Sequence, residues 1–114
     1  MKFGHIELFV RDPLKARQFY EGVLGFEVVY VQGDEFVWLK IHAIEILLRR
    51  GTPPPAAPDY GHSAAAIVLY TDNLAETANQ LLERGLVFNG YDGTDDCPTF
   101  TDLDGNWFQL ASPG

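Results

Sequence analysis

Four positions of this sequence carry side chains that decide whether it can do metal chemistry, because the chain contains one unit twice. His5 in the first copy corresponds to Ala66 in the second, and Glu45 corresponds to Gln109. Two stacked copies would bring these positions around one cavity. Histidine, glutamate and glutamine all have atoms that can bind a metal ion, whereas alanine offers only a methyl group.

The three polar side chains allow two interpretations. Histidine and glutamate are ordinary ligands for divalent iron, zinc, nickel or manganese, and a glutamine carbonyl is a weaker donor. Without a metal, His5 and Glu45 would form a hydrogen-bonded pair in a polar patch, and Gln109 would line the cavity. His62 is a candidate substitute ligand for Ala66. It lies four residues earlier, roughly 13 Å along a strand, so a β-bulge would have to bring it closer.

The elements that must position these residues follow the order βαβββ in each half. In the first half, Asp12 and Pro13 start a helix that we expect to end near Glu21. In the second half, Asn73 and Glu76 form a start like a capping box. The predicted strands are Phe3–Val10, Phe26–Val31, Glu35–Ile41, Ile44–Arg49, Ala64–Thr71, Leu86–Tyr91, Pro98–Asp102 and Asn106–Ala111.

A proline-rich stretch divides the chain. Residues 51–58 cannot form a helix or a central strand. We interpret residues 1–114 as one domain with module 1 at 1–50, a linker at 51–61 and module 2 at 62–114. One sheet with one helix leaves an apolar face uncovered, and two modules can cover each other around a central cleft. Strand alternation places Val68 and Tyr70 with Ala66 on the cleft side, where the aromatic Trp38 is also expected.

Composition narrows the class of partner and the cellular location. The net charge of −8 and the pI near 4.6 argue against nucleic acid and anionic membranes as partners. The single cysteine, Cys97, excludes an intrachain disulfide and fits a reducing cytoplasm. We therefore expect a cytoplasmic protein. The share of apolar residues, 46%, is ample for a packed core.

The motifs of the chain resemble those of the vicinal oxygen chelate superfamily, which includes glyoxalases, bleomycin resistance proteins and extradiol dioxygenases. The matching segments are His5-Ile6-Glu7-Leu8, Asp12-Pro13-Leu14 through Phe19-Tyr20, Val23-Leu24-Gly25-Phe26, Ile44-Glu45-Ile46-Leu47 and Asp102 through Leu110. The resemblance implies an α+β fold of two βαβββ modules that pair into a curved mixed sheet around a cleft. It also implies a homodimer.

The resemblance assigns the metal-ligand positions to His5, Glu45, Ala66 and Gln109, two from each module. Ala66 departs from the pattern, which usually has histidine there. We therefore expect a metal-poor protein that sequesters a small molecule in the cleft. The alternative is a divalent-metal-dependent lyase or dioxygenase with His5, Glu45 and Gln109 as ligands and Glu45 as a catalytic base.

Overall fold

The computed structural model describes residues 1–93 and 96–113 of the chain. It divides into two compact units, Met1–Pro54 and Pro55–Gly114. Each unit has a helical segment after its first strand and three further strands, so the predicted βαβββ order is confirmed in both halves. None of the helices in the described residues is long and apolar enough to cross a membrane.

The first unit contains one mixed sheet with the strand order β1-β4-β3-β2. Strand β1 runs parallel to β4, and the other neighbours are antiparallel. Tyr20 and Val37 are fully buried in its core. The elements are β1 (Ile6–Val10), α1 (Pro13–Arg17), a π-helical segment (Gln18–Val23), β2 (Glu27–Gln32), β3 (Phe36–Ile41) and β4 (Ile44–Arg50).

The second unit repeats this topology with the strand order β5-β8-β7-β6, and β5 runs parallel to β8. Phe100 and Phe108 stack in its core with ring centroids 5.0 Å apart. The elements are a 3₁₀ turn (Tyr60–His62), β5 (Ala66–Tyr70), α2 (Leu74–Glu83), β6 (Tyr91–Asp92), β7 (Cys97–Thr101) and β8 (Trp107–Ala111).

The first helix starts as predicted but changes its hydrogen-bond pattern halfway. The Asp12 side chain accepts hydrogen bonds from the backbone of Leu14 and Lys15, and Pro13 occupies the first turn. After Arg17 the helix becomes π-helical, and the wider turn lets the Leu24 amide reach the Phe19 carbonyl at 3.1 Å. The helical region predicted to end near Glu21 thus ends at Val23, and its second half is of a type that sequence periodicity does not distinguish from α-helix.

The predicted strand Leu86–Tyr91 was also wrong, since only Tyr91 and Asp92 form β6. The chain before it still approaches β7, because the Asn89 amide bonds to the Thr99 carbonyl at 2.7 Å. Gly90 has a φ of 86°, which lies outside the extended region and interrupts the strand. The apolar run therefore follows β7 without making a regular ladder.

The segment that leads into the second unit packs against its last hairpin. The indole nitrogen of Trp107 donates to the Ala57 carbonyl at 3.3 Å. Ala56 lies against Gly105, where an added Cβ would stand 2.9 Å from the Ala56 Cα. Gly105 also has a φ of 86°, so this position needs glycine for both backbone conformation and space.

We expect Gly105→Ala to destabilise the protein more than Gly90→Ala. Gly90 has the same φ of 86°, but an added Cβ there would meet only Thr99 at an ordinary 3.8 Å. The left-handed conformation costs both variants about 1–2 kcal/mol, and crowding against Ala56 adds about 1–3 kcal/mol at Gly105 alone. Urea unfolding measures both losses. Equal losses would contradict close packing of Ala56 on the hairpin.

Candidate functional sites on the two sheets

Each sheet has one face that its own helix covers and one that it does not. In the first unit, α1 packs on β3 and β4, and Val37, Leu39 and Leu48 are fully buried on that side. We call the other side the helix-free face. Its side chains, assigned from strand register, are those of His5, Glu7, Phe9, Phe36, Trp38, Lys40, Glu45, Leu47 and Arg49.

His5 is held on this face by two neighbours. Its Nε2 atom lies 2.8 Å from Oε2 of Glu7, two residues along the chain. Its ring also contacts Trp38 edge-on, with centroids 4.7 Å apart. The pair expected from the sequence was His5 with Glu45, whereas the structure pairs His5 with Glu7. Residues two apart in a strand share a face, so strand alternation predicts that the side chains of His5 and Glu7 lie close together.

Glu7 also forms an ion pair with Arg49 on the neighbouring strand β4. Arg49 donates from Nη1 to Oε1 of Glu7 at 3.0 Å. The guanidinium carbon of Arg49 lies 5.6 Å from the ring centroids of both Phe9 and Phe36, which is within cation–π range. Hydrogen bonds from Arg49 and then from His5 hold the pKa of Glu7 below its ordinary value. The helix-free face of the first sheet therefore includes a positive charge, the Arg49 guanidinium, which Glu7 and two phenyl rings hold in place.

Glu45 lies at the start of β4, where it is exposed and pairs in register with Lys40 of β3. Ile6 pairs with Ile46, so His5 and Glu45 precede paired residues on adjacent parallel strands. The fold thus brings together two residues that are far apart in sequence. The hydrogen bond of His5, however, goes to Glu7.

The helix-free face of the second sheet has a different character. Ala66, Val68 and Tyr70 alternate with the more buried Ile67 and Leu69 along β5. Val68 is 45% exposed and Tyr70 is 71% exposed. Val68 pairs in register with Gln109 of β8, and Gln109 pairs in turn with Thr99 of β7. Apolar and aromatic surface therefore lies beside a polar amide.

The Gln109 amide is held by two hydrogen bonds. Its Nε2 atom donates to the Tyr60 hydroxyl at 2.9 Å and to Oδ2 of Asp92 at 3.0 Å. A carboxylate can only accept, so Asp92 requires that the nitrogen of the amide, and not the oxygen, point towards it. Both amide hydrogens are thereby used, and the carbonyl oxygen points away from Asp92 and Tyr60.

His62, the candidate substitute ligand, is engaged in a turn. Its Nδ1 atom lies 2.7 Å from Oδ1 of Asp59, and its side chain is 72% exposed. The hydrogen bond from His62 lowers the pKa of Asp59. His42 also lies in a turn, between β3 and β4, with a φ of 54°.

Sequence reasoning missed the partners that hold the polar residues. Glu7 and Arg49 are two and four residues from His5 and Glu45, so strand alternation could have placed them on the same face. Tyr60 lies in the proline-rich linker, where no periodic signal exists. Its contact with Gln109 comes only from the path of the linker over β8.

Three of the four positions predicted to surround a metal carry a donor side chain, and the fourth is Ala66. Among residues 1–93 and 96–113, no group of three histidine, cysteine, aspartate or glutamate side chains is arranged to hold one. Ala66 has no donor atom. Two of the three polar ligand candidates already have partners: His5 bonds to Glu7, and Gln109 bonds to Asp92 and Tyr60. Borderline metals need several charged or soft donors.

Comparison with known proteins gives one family. Residues 2–110 match the sequence profile of the Glyoxalase/Bleomycin resistance protein/Dioxygenase superfamily. No curated protein is significantly similar in sequence. The fold is similar to that of TnmS3, an antibiotic binding protein from Streptomyces sp. CB03234, with 25% identity, a TM-score of 0.74, and coverage of 100% of this chain and 99% of that one.

Two further solved structures share the fold. A mutant of FosX, a fosfomycin resistance protein from Listeria monocytogenes, in complex with Mn(II) and 1S,2S-dihydroxypropylphosphonic acid has 18% identity and a TM-score of 0.75 over 99% of this chain and 90% of that one. Lactoylglutathione lyase from Agrobacterium tumefaciens has 18% identity and a TM-score of 0.69 over 96% of this chain and 91% of that one.

We expect Arg49→Gln to raise the pKa of Glu7 towards its ordinary value, because the largest cause of the lowered pKa is the hydrogen bond from Arg49. A lowered pKa in the folded state means that this contact stabilises the fold above the ordinary carboxyl pKa. The contribution is lost as pH falls through the lowered pKa. Carboxyl NMR titration measures the shift, and Lys40→Gln, on the same face, is the control. An unchanged Glu7 titration in Arg49→Gln would contradict the pairing.

Proposed function

Because this chain belongs to the Glyoxalase/Bleomycin resistance protein/Dioxygenase superfamily, we propose that it is a metal-poor protein that binds and sequesters a small molecule. The similarity to the antibiotic binding protein TnmS3 over the whole of both chains supports this class of function. The proposal places the ligand on the helix-free faces of the sheets, where the side chains expected to line the site lie. These are His5, Trp38, Glu45, Ala66, Val68, Tyr70 and Gln109.

One observation carries the proposal. On the second sheet, Gln109 uses both amide hydrogens on protein partners, while Val68 and Tyr70 beside it are 45% and 71% exposed. Exposed apolar side chains next to a few oriented polar groups are typical of ligand sites, in which apolar surface provides affinity and polar groups provide orientation. Ala66 adds a methyl group to this surface where a metal ligand would otherwise stand.

We expect Val68→Glu to weaken the binding of planar aromatic compounds by about tenfold, because a ligand would have to desolvate the new carboxylate. Ligand-detected NMR with a panel of planar aromatic fragments measures the change. Val87→Glu is the matched control, since it adds the same charge at a residue that is 70% exposed and lies outside the strands. Equal effects of both variants would show that charge alone, and not this face, controls binding.

We expect the protein purified without chelator to hold less than about half an equivalent of divalent metal per chain, because it lacks a complete set of charged or soft donors. Ala66→His adds an imidazole at the position where the superfamily pattern usually has one, so this variant should bind Mn(II) or Zn(II) more tightly. Elemental analysis and equilibrium dialysis measure both quantities. Stoichiometric metal in the unmodified protein would contradict the proposal.

The second candidate function is a divalent-metal-dependent lyase or dioxygenase in which His5, Glu45 and Gln109 are ligands and Glu45 also acts as a base. The adjacent positions of His5 and Glu45 at the starts of β1 and β4 favour it. Turnover of dicarbonyl adducts or catechols by metal-loaded protein, abolished by Glu45→Gln, would establish this candidate. If metal-loaded protein turned over neither dicarbonyl adducts nor catechols, the result would support sequestration instead.

A homodimer and a cytoplasmic location complete the proposal. Exposed aromatic side chains support association, because Phe9 and Tyr30 of the first sheet are 48% and 56% exposed. The single cysteine supports a reducing compartment. Sedimentation velocity measures the oligomeric state.

A further inference from the structure

Tyr60 has a hydroxyl group whose hydrogen-bonding role is set by its neighbours. The hydroxyl accepts a hydrogen bond from Nε2 of Gln109 at 2.9 Å. Oδ2 of Asp92 accepts the second hydrogen bond from the same Nε2 atom at a distance of 3.0 Å. Because a carboxylate only accepts, this bond keeps the amide from turning over. With one lone pair occupied by Gln109, Tyr60 has its own O–H left to donate in another direction.

The ring of Tyr60 is fixed from two sides. It contacts Trp107 edge-on, with ring centroids 6.1 Å apart at 86°. Its backbone lies in the 3₁₀ turn that Asp59 caps by accepting from the His62 amide. A hydroxyl on a ring held in this way has little rotational freedom to lose when a ligand binds, which favours affinity.

The surface beside Tyr60 provides the complementary features of a ligand site. The carbonyl oxygen of Gln109 points away from Asp92 and can accept a hydrogen bond. Val68, opposite Gln109 in register, and the more exposed Tyr70 offer apolar and aromatic contact on the same face. The site thus combines one donor, one acceptor and a hydrophobic platform.

Resting on the proposed function, we propose that the Tyr60 hydroxyl binds the carbonyl oxygen of a neutral planar ligand, such as an aromatic carboxamide. Gln109 accepts the N–H of that carboxamide through its own carbonyl oxygen. Asp92 is a positioning residue that keeps the Gln109 amide in the required orientation. A carboxylate ligand is disfavoured, because Asp92 is nearby and the chain has a net charge of −8.

The test compares 2-naphthamide with 2-methylnaphthalene, which has the same ring system but no hydrogen-bonding group. Tyr60→Phe keeps the ring that contacts Trp107 and removes only the hydroxyl. We expect this variant to bind 2-naphthamide about fivefold more weakly and 2-methylnaphthalene equally well, since a net hydrogen bond contributes about 1 kcal/mol. Affinities come from NMR titration, with the amide spectrum as a check that each variant folds.

Two further variants separate positioning from packing. Asp92→Asn allows the Gln109 amide to turn over. It should therefore reduce the preference for 2-naphthamide over 2-methylnaphthalene without weakening the binding of 2-methylnaphthalene. Tyr91→Phe is the control, because Tyr91 is 61% exposed, pairs with Pro98 and precedes Asp92 in β6, so strand alternation turns its side chain to the other face. It should leave the preference unchanged.

Failure of the role of the Tyr60 hydroxyl and failure of the proposed function would give different results. Unchanged 2-naphthamide binding in Tyr60→Phe, or equal weakening of both probes, would overturn the role of the hydroxyl while leaving the proposed function intact. Binding of neither probe to the unmodified protein would count against both proposals. If that result came with a dimer that dissociates in Val68→Glu, the face would be covered by a second copy of the chain.

Discussion

Parallel pairing of the first and last strands in each unit is the constraint on which the candidate sites depend. It places Ile6 beside Ile46 and Ala66 beside Trp107. Parallel neighbours cannot be joined by a tight hairpin and need a long connection, which here consists of the helix and two further strands. Residues from opposite ends of a module thereby share one sheet face, and Val68 meets Gln109 only because β8 returns beside β5.

On both helix-free faces, the polar side chains bond to each other within a single unit. Glu7 joins His5 and Arg49 on the first sheet, and Gln109 joins Asp92 and Tyr60 on the second. Among the described residues, every buried side-chain nitrogen and oxygen has a hydrogen-bond partner. A metal ion would have to displace some of these contacts. Internal pairing and the absence of a donor side chain at Ala66 are the two features on which the proposed metal-poor function rests.

The two faces nevertheless differ in what they can bind. The first contains a guanidinium between two phenyl rings and a carboxylate whose pKa that guanidinium lowers. The second contains a neutral amide, an oriented hydroxyl and exposed apolar surface. The repeat therefore preserves the backbone topology while its two copies have diverged in side-chain chemistry.

The sequence by itself determined the order of elements and the facing of most side chains. Alternation along strands, the Asp12 and Asn73 caps and the proline-rich stretch depend on local physics, and each could be read without coordinates. The structure alone revealed the π-helical segment after Arg17, because sequence periodicity does not distinguish it from an α-helix. It also revealed that the chain before Tyr91 is not a regular strand, because Gly90 has a φ of 86°. The tertiary structure also decided that Tyr60 reaches Gln109, since these residues are 49 positions apart in sequence and meet only through the path of the chain in space.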